Sequence, residues 1–92
     1  MELLEKVKKT ITSLGGCKAA GTLAHASAAA CSQKYGVSLL RISAGLDYSN
    51  KQLVLELLDI TKQDDFSNLA QDEMLGWLKE NKWLLRTPTI KQ

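Results

Sequence analysis

One histidine and two cysteines are the side chains of this chain best suited to metal binding or nucleophilic catalysis. Cys17, His25 and Cys31 all fall in one alanine-rich stretch that is expected to be helical. Residues six positions apart on a helix point about 120° away from each other, so His25 cannot activate the Cys31 thiol, and the three side chains cannot meet around one ion. The two cysteines would lie roughly 21 Å apart along the helix, beyond the reach of a disulfide. We therefore expect no metal site here, and two reduced, buried thiols.

The acidic pairs and the glycines of the chain offer no better catalytic pattern. The pairs at residues 64–65 and 72–73 lie where helix boundaries ordinarily collect carboxylates, so capping explains them better than acid–base chemistry. The glycines near the alanine-rich stretch follow no predicted strand, which a phosphate-binding loop requires. The sequence therefore predicts a protein that is not an enzyme and that needs no cofactor.

The segment from residue 38 to residue 58 has the pattern of a helix-turn-helix. A short first helix, a turn containing glycine and a second helix with a polar start can place that second helix in the major groove of DNA. The candidate nucleic-acid-binding residues, all able to bond phosphates or base edges, are Arg41, Tyr48, Ser49, Asn50, Lys51 and Gln52. Arg41 and Lys51 fit the motif poorly, because a small and an apolar residue are expected at their positions. An ordinary helical hairpin capped by serines explains the same segment.

A second candidate surface lies at the C-terminal end, where apolar and basic side chains alternate. Its candidate protein-interface residues are Trp77, Trp83, Leu84, Leu85 and Arg86. Tryptophan and arginine are enriched in protein interfaces, and a short apolar tail finds little core left to enter in a chain of 92 residues. In the alternatives, the two tryptophans simply close the bundle, or Lys82 and Arg86 extend the nucleic-acid site along DNA phosphates.

Apolar spacing and capping residues predict the elements that position these candidates. Helices are expected at about residues 2–14, 17–35, 38–44, 50–62 and 67–80, followed by a short extended C-terminal tail at residues 83–88. The second helix has small residues on most of its circumference, which predicts a central position with neighbours on two sides. Gly36 is expected to end it as a left-handed cap, and Ser38 and Ser49 are expected to cap the two helices that follow. A competing pattern makes residues 37–46 and 51–60 the arms of a β-hairpin.

Composition and charge are those of an ordinary globular domain. The chain is 45% hydrophobic and 24% charged, with a formal charge of +2, and we expect a single domain over residues 1–92. Residues 1–51 hold seven basic against three acidic residues, a balance of +4, and residues 52–92 hold five against seven, a balance of −2. An anionic partner would therefore prefer the N-terminal half. No apolar run approaches the ~20 residues that span a bilayer, and no signal-peptide pattern is present, so we expect a cytoplasmic protein without a membrane partner.

Together these patterns predict an all-α bundle of four to five helices around an alanine-rich central helix. We expect a homodimer, joined through small-residue or tryptophan-bearing faces, because the helices have more apolar faces than one copy can cover. The sequence favours a small DNA-binding regulator of transcription that acts through residues 38–58. The alternative is a protein-interaction module, such as an inhibitor, an adaptor or an antitoxin-like partner, that binds through its apolar C-terminal surface.

Overall fold

All the secondary-structure elements in the described residues are helices. A computed structural model describes residues 1–84, and within them there is no strand. The helices are α1 (Glu2–Leu14), α2 (Lys18–Cys31), α3 (Leu39–Gly45), α4 (Tyr48–Leu58) and α5 (Asn68–Glu80), with a 3₁₀ helix at Ile60–Lys62. The all-α prediction is confirmed, and the competing β-hairpin is wrong because residues 37–60 form α3 and α4. In this part of the chain, no helix has the length and apolar character needed to cross a membrane.

Helix α2 is the central helix, as its small residues predict. It packs against α1, α3, α4 and α5. Ala20, Leu23, Ala24 and Ala28 are fully buried in it. Ser27 is also fully buried, and its hydroxyl donates a hydrogen bond to the Ala24 carbonyl at 2.8 Å. This bond satisfies a polar group whose burial would otherwise cost free energy.

The apolar core lies between α2 and the inner faces of α1, α4 and α5. Its largest fully buried apolar side chains are Val7, Ile11, Leu23, Met74 and Leu78. Helix α1 contributes a stripe with spacings of three and four residues, namely Leu3, Leu4, Val7 and Ile11. Helix α3, in contrast, contributes no buried residue. The bundle therefore has four helices around its core and one short helix at its surface.

Side chains cap the start of three of the described helices. The hydroxyls of Ser38 and Ser67 accept hydrogen bonds from the backbone N–H groups three residues further on, which confirms the predicted Ser38 cap. The prediction that Ser49 caps the fourth helix is wrong, since the helix begins two residues earlier. There the Asp47 carboxylate accepts a hydrogen bond from the Asn50 backbone N–H at 2.9 Å. Helix α4 therefore begins with an acidic cap.

The end of α2 and the segment after α5 differ from the prediction, whereas α5 ends at Glu80 as predicted. Helix α2 ends at Cys31, and Gly36 is not its left-handed cap, because Gly15 and Lys82 are the described residues with positive φ. After α5, the backbone N–H of Trp83 donates to the Leu78 carbonyl at 2.9 Å. Trp83 and Leu84 therefore lie in a turn rather than in an extended tail. The rest of the predicted tail, with Leu85 and Arg86, lies outside the described residues.

Candidate functional site

An apolar groove of about 700 Å³ lies between α2, α3 and α4. Its lining includes Ala29 and Ala30 from α2, Leu39 and Ile42 from α3, and Leu55 and Leu58 from α4. Lys51 is the one charged residue in the lining that the structure describes. The groove is therefore a site for an apolar surface rather than for an ion or a highly charged ligand.

The groove exists because α3 does not cover the alanine face of α2. Helix α3 has seven residues and contacts α2 without burying any of them. So short a helix is not stable on its own in water. It is held by the Ser38 cap and by Val37 and Ile42, which pack partly against the core. The methyl groups of Ala29 and Ala30 are too small to fill the space that remains.

Large apolar side chains surround the groove and are exposed to solvent. The exposed fractions are 78% for Leu39, 77% for Tyr48, 73% for Leu58 and 53% for Leu55, and all four line the groove. A cluster of this kind is a mark of a binding surface, whereas single exposed apolar residues are ordinary. Two further exposed leucines lie elsewhere, namely Leu40 (75%) and Leu69 (67%).

The charges near α4 are mostly neutralised by neighbours. Glu56 pairs with Lys6 at 3.7 Å, and Asp59 pairs with Lys62 at 3.9 Å. Lys51 and Arg41 form no ion pair among residues 1–84. In the described lining, the charge that the groove presents is therefore the Lys51 ammonium.

The predicted nucleic-acid-binding residues differ in exposure. Arg41, Tyr48 and Ser49 are exposed, Lys51 and Gln52 are half-buried, and Asn50 is only 7% exposed. Tyr48, Lys51 and Gln52 line the apolar groove. The Asp47 carboxylate caps the first turn of α4, which is where a phosphate would bind a helix N-terminus.

The predicted C-terminal interface is largely used by the fold where the structure describes it. Trp77 and Trp83 are half-buried against the core, and Leu84 is only 4% exposed. The Lys8 ammonium also lies over the Trp77 ring, 5.9 Å from the ring centroid. This distance is typical of a cation–π contact. The described part of this surface therefore leaves little apolar area for a partner.

The histidine and the cysteines remain separate. Among residues 1–84 no group of three or more His, Cys, Asp or Glu side chains is placed to hold a metal ion. His25 Nδ1 lies 2.8 Å from the carbonyl oxygen of Gly21, within its own helix. Cys31 is buried, as predicted, and this burial raises the pKa of its thiol from 9.0 to about 11. Cys17 is exposed, so the expectation that it is buried is wrong.

Sequence reasoning did not single out the leucines of the groove. Their signal lies in the apolar content of α4, which exceeds one buried stripe. Leu53, Val54 and Leu57 form the buried stripe of this helix. Leu55 lies outside that stripe, and Leu58 continues its spacing at the end of α4 but is 73% exposed; neither residue belongs to the core.

The fold and the groove define a small all-α bundle that has an open apolar groove on one face. Comparison with protein families, with curated proteins and with solved structures finds no significant match to this chain. The chemistry of the groove is therefore the basis on which a function is proposed.

Proposed function

We propose that this protein is a protein-interaction module that binds a helix of its partner in the apolar groove. The observation that carries the proposal is the ring of exposed side chains, Leu39, Tyr48, Leu55 and Leu58, around a floor of alanines. Such an arrangement receives large apolar side chains between small ones. We place the interface at the groove rather than at the C-terminal surface, because Trp77, Trp83 and Leu84 pack against the core.

A helix fits the groove better than the other forms that bound peptides take. An extended peptide binds by adding a strand to a sheet edge, and residues 1–84 contain no strand. A proline-rich segment binds between several aromatic rings, whereas Tyr48 is the one aromatic residue in the described lining. An amphipathic helix needs only an apolar trough for side chains spaced by three and four residues, and the groove provides one.

Two adjacent leucines of α3 allow a matched test. Leu39 and Leu40 are 78% and 75% exposed, but only Leu39 lines the groove. Helical peptides that bind the wild-type chain are first selected from a displayed library. Their affinities are then measured for the Leu39→Lys and Leu40→Lys variants. We expect peptides with apolar residues at positions i, i+3 or i+4, and i+7, which lose affinity about tenfold or more with Leu39→Lys and little with Leu40→Lys.

Nuclear magnetic resonance of the complex also locates the bound peptide. Amide chemical shifts of Ala29, Ala30 and Leu58 should change on binding, because these residues line the groove. Failure to select any such peptide, or equal affinity for both variants, would reject the groove as the interface. Circular dichroism of both variants checks that each retains the helical fold.

Binding of DNA through α3 and α4 is a second candidate function. It is supported by Arg41, which is exposed and has no ion pair among residues 1–84, and by the exposed hydroxyls of Tyr48 and Ser49. Affinity for random duplex DNA should then fall by roughly one power of the salt concentration for each phosphate neutralised. Unchanged binding in Arg41→Ala and Lys51→Ala would reject this candidate, and so would an affinity that does not depend on salt.

A further inference from the structure

We infer that the helix bound in the apolar groove belongs to a second copy of this chain, so that the protein is a two-fold homodimer joined through α3 and α4. The inference rests on the proposed function, since it names the partner of the same groove. A two-fold interface places one surface patch against an identical patch, so the patch must be complementary to itself. The groove has both projecting and receiving side chains, as this condition requires.

The groove presents both projecting and receiving surfaces. Leu39 and Leu58 project from it, with 78% and 73% of their surface exposed, while Ala29 and Ala30 form its floor. Helix α3 is seven residues long, about 10 Å at the usual helical rise. Because α3 buries none of its residues within its own chain, its apolar residues are available to the groove of a partner copy. The exchange is reciprocal, since each copy then covers the α3 of the other.

The exposed apolar residues of the groove supply part of the area that a stable dimer requires. A specific interface buries about 800 Å² on each partner, which is roughly one seventh of the 5925 Å² that this chain exposes. Leu39, Tyr48 and Leu58 each leave about three quarters of their surface exposed and Leu55 about half, and these four residues supply part of that area. The half-buried Val37, Ile42 and Gln52 and the methylene groups of Lys51, which line the same groove, extend the patch.

The charges of this face do not oppose self-association. Like charges set against each other across an interface cost free energy. Each copy brings to the groove a single charged residue, Lys51, and the nearby Glu56 and Asp59 are paired within their own chain. A two-fold contact through this face therefore buries mostly apolar surface, and the cations without an ion pair that each copy brings to it are Lys51 and the exposed Arg41 of α3.

The test is the mass of the full-length chain in solution, measured by light scattering and sedimentation between about 1 and about 100 µM. We expect the wild-type chain to reach twice its 10.1 kDa mass. Leu58→Lys should raise the dissociation constant about tenfold or more. The matched control is Leu69→Lys, which changes a leucine of similar exposure (67% against 73%) outside the groove and should dimerise as the wild type does. Leu55→Lys is the second groove variant if Leu58→Lys loses its helical signal.

Each outcome decides the inference. A wild-type chain that stays monomeric at the highest concentration overturns it, and so does a dimer that persists unchanged in both groove variants, because that dimer would use another face. If the wild-type chain is monomeric but helical peptides bind in a manner that depends on Leu39, the inference fails while the proposed function stands with a different protein as partner. If neither a dimer nor peptide binding occurs, both fail.

Discussion

Replacing Ala28 with leucine is expected to destabilise the fold, whereas the same replacement at the neighbouring Ala29 is expected to be tolerated. Ala28 is 0% exposed and lies in the helix that contacts all the others. Ala29 is half-buried and lines the apolar groove. Both changes add the same atoms to the same helix, and alanine and leucine have similar helix propensities. The difference between the two variants therefore measures the space beside each Cβ atom.

The expected magnitude follows from the burial of the two positions. Adding methylene groups to a packed core costs about 1–3 kcal/mol, and for a domain of this size each kcal/mol lowers Tm by about 4–8 °C. We therefore expect Ala28→Leu to lose about 1–3 kcal/mol of unfolding free energy, which is a large share of the stability of a small domain. At Ala29 the leucine side chain extends into the groove, so we expect a change within about 0.5 kcal/mol.

Urea titration followed by far-ultraviolet circular dichroism measures both values. Protein concentration is kept near 1 µM, so that any association through the groove contributes little to the apparent stability. An unchanged dependence of the free energy on urea would show that the unfolding transition exposes the same surface in each variant. The packing argument would be refuted if Ala28→Leu were as stable as the wild type, or if Ala29→Leu lost as much stability as Ala28→Leu.

Three further measurements test the helix cap and the thiols. Asp47→Ala should lower the free energy of unfolding by about 0.5–2 kcal/mol, while Ser49→Ala should change it little, since Ser49 is exposed and makes no capping bond; equal losses in urea titration would contradict this assignment. In timed thiol labelling followed by mass spectrometry, Cys17 should react in the folded protein and Cys31 only after unfolding, so rapid labelling of both would show that Cys31 is not buried. Because burial raises the pKa of Cys31 from 9.0 to about 11, the unfolded chain ionises first, and stability should fall as pH rises between these values. Urea titrations near pH 8 and near pH 10 should show a smaller fall for Cys31→Ala than for the wild type.

The helices and the central place of α2 could be predicted because they depend on local patterns. The apolar stripe of α1 has spacings of three and four residues, and Ser38 and Ser67 provide caps directly before apolar segments. Small residues around most of a helix exclude a position at the surface, since such a helix has no broad polar face for solvent. These features need no knowledge of which helix meets which.

The start of α4 could not be predicted in the same way, because two capping patterns overlap there. Ser49 has the spacing of a capping box with Gln52, but Asp47 forms the observed cap. The buried residues of α4 are Asn50, Leu53, Val54 and Leu57, spaced as i, i+3, i+4 and i+7 on one helix face. The first position of the buried stripe is thus occupied by a polar residue, Asn50. Its polarity predicted an exposed helix start instead. Asn50 is only 7% exposed, and this burial is a tertiary feature that no local pattern reveals.

The groove could not be predicted because it depends on the relative lengths of two helices. The alanines of α2 predict close packing of another helix only where that helix is long enough to lie against them. Helix α2 has fourteen residues and α3 has seven, so part of the small-residue face has no helix directly above it. There Ala29 and Ala30 become the floor of a groove, although the same residue type forms the packed core at Ala24 and Ala28. Because this uncovered face and the exposed Leu39 and Leu58 line the same groove, a partner that fills the groove contacts both.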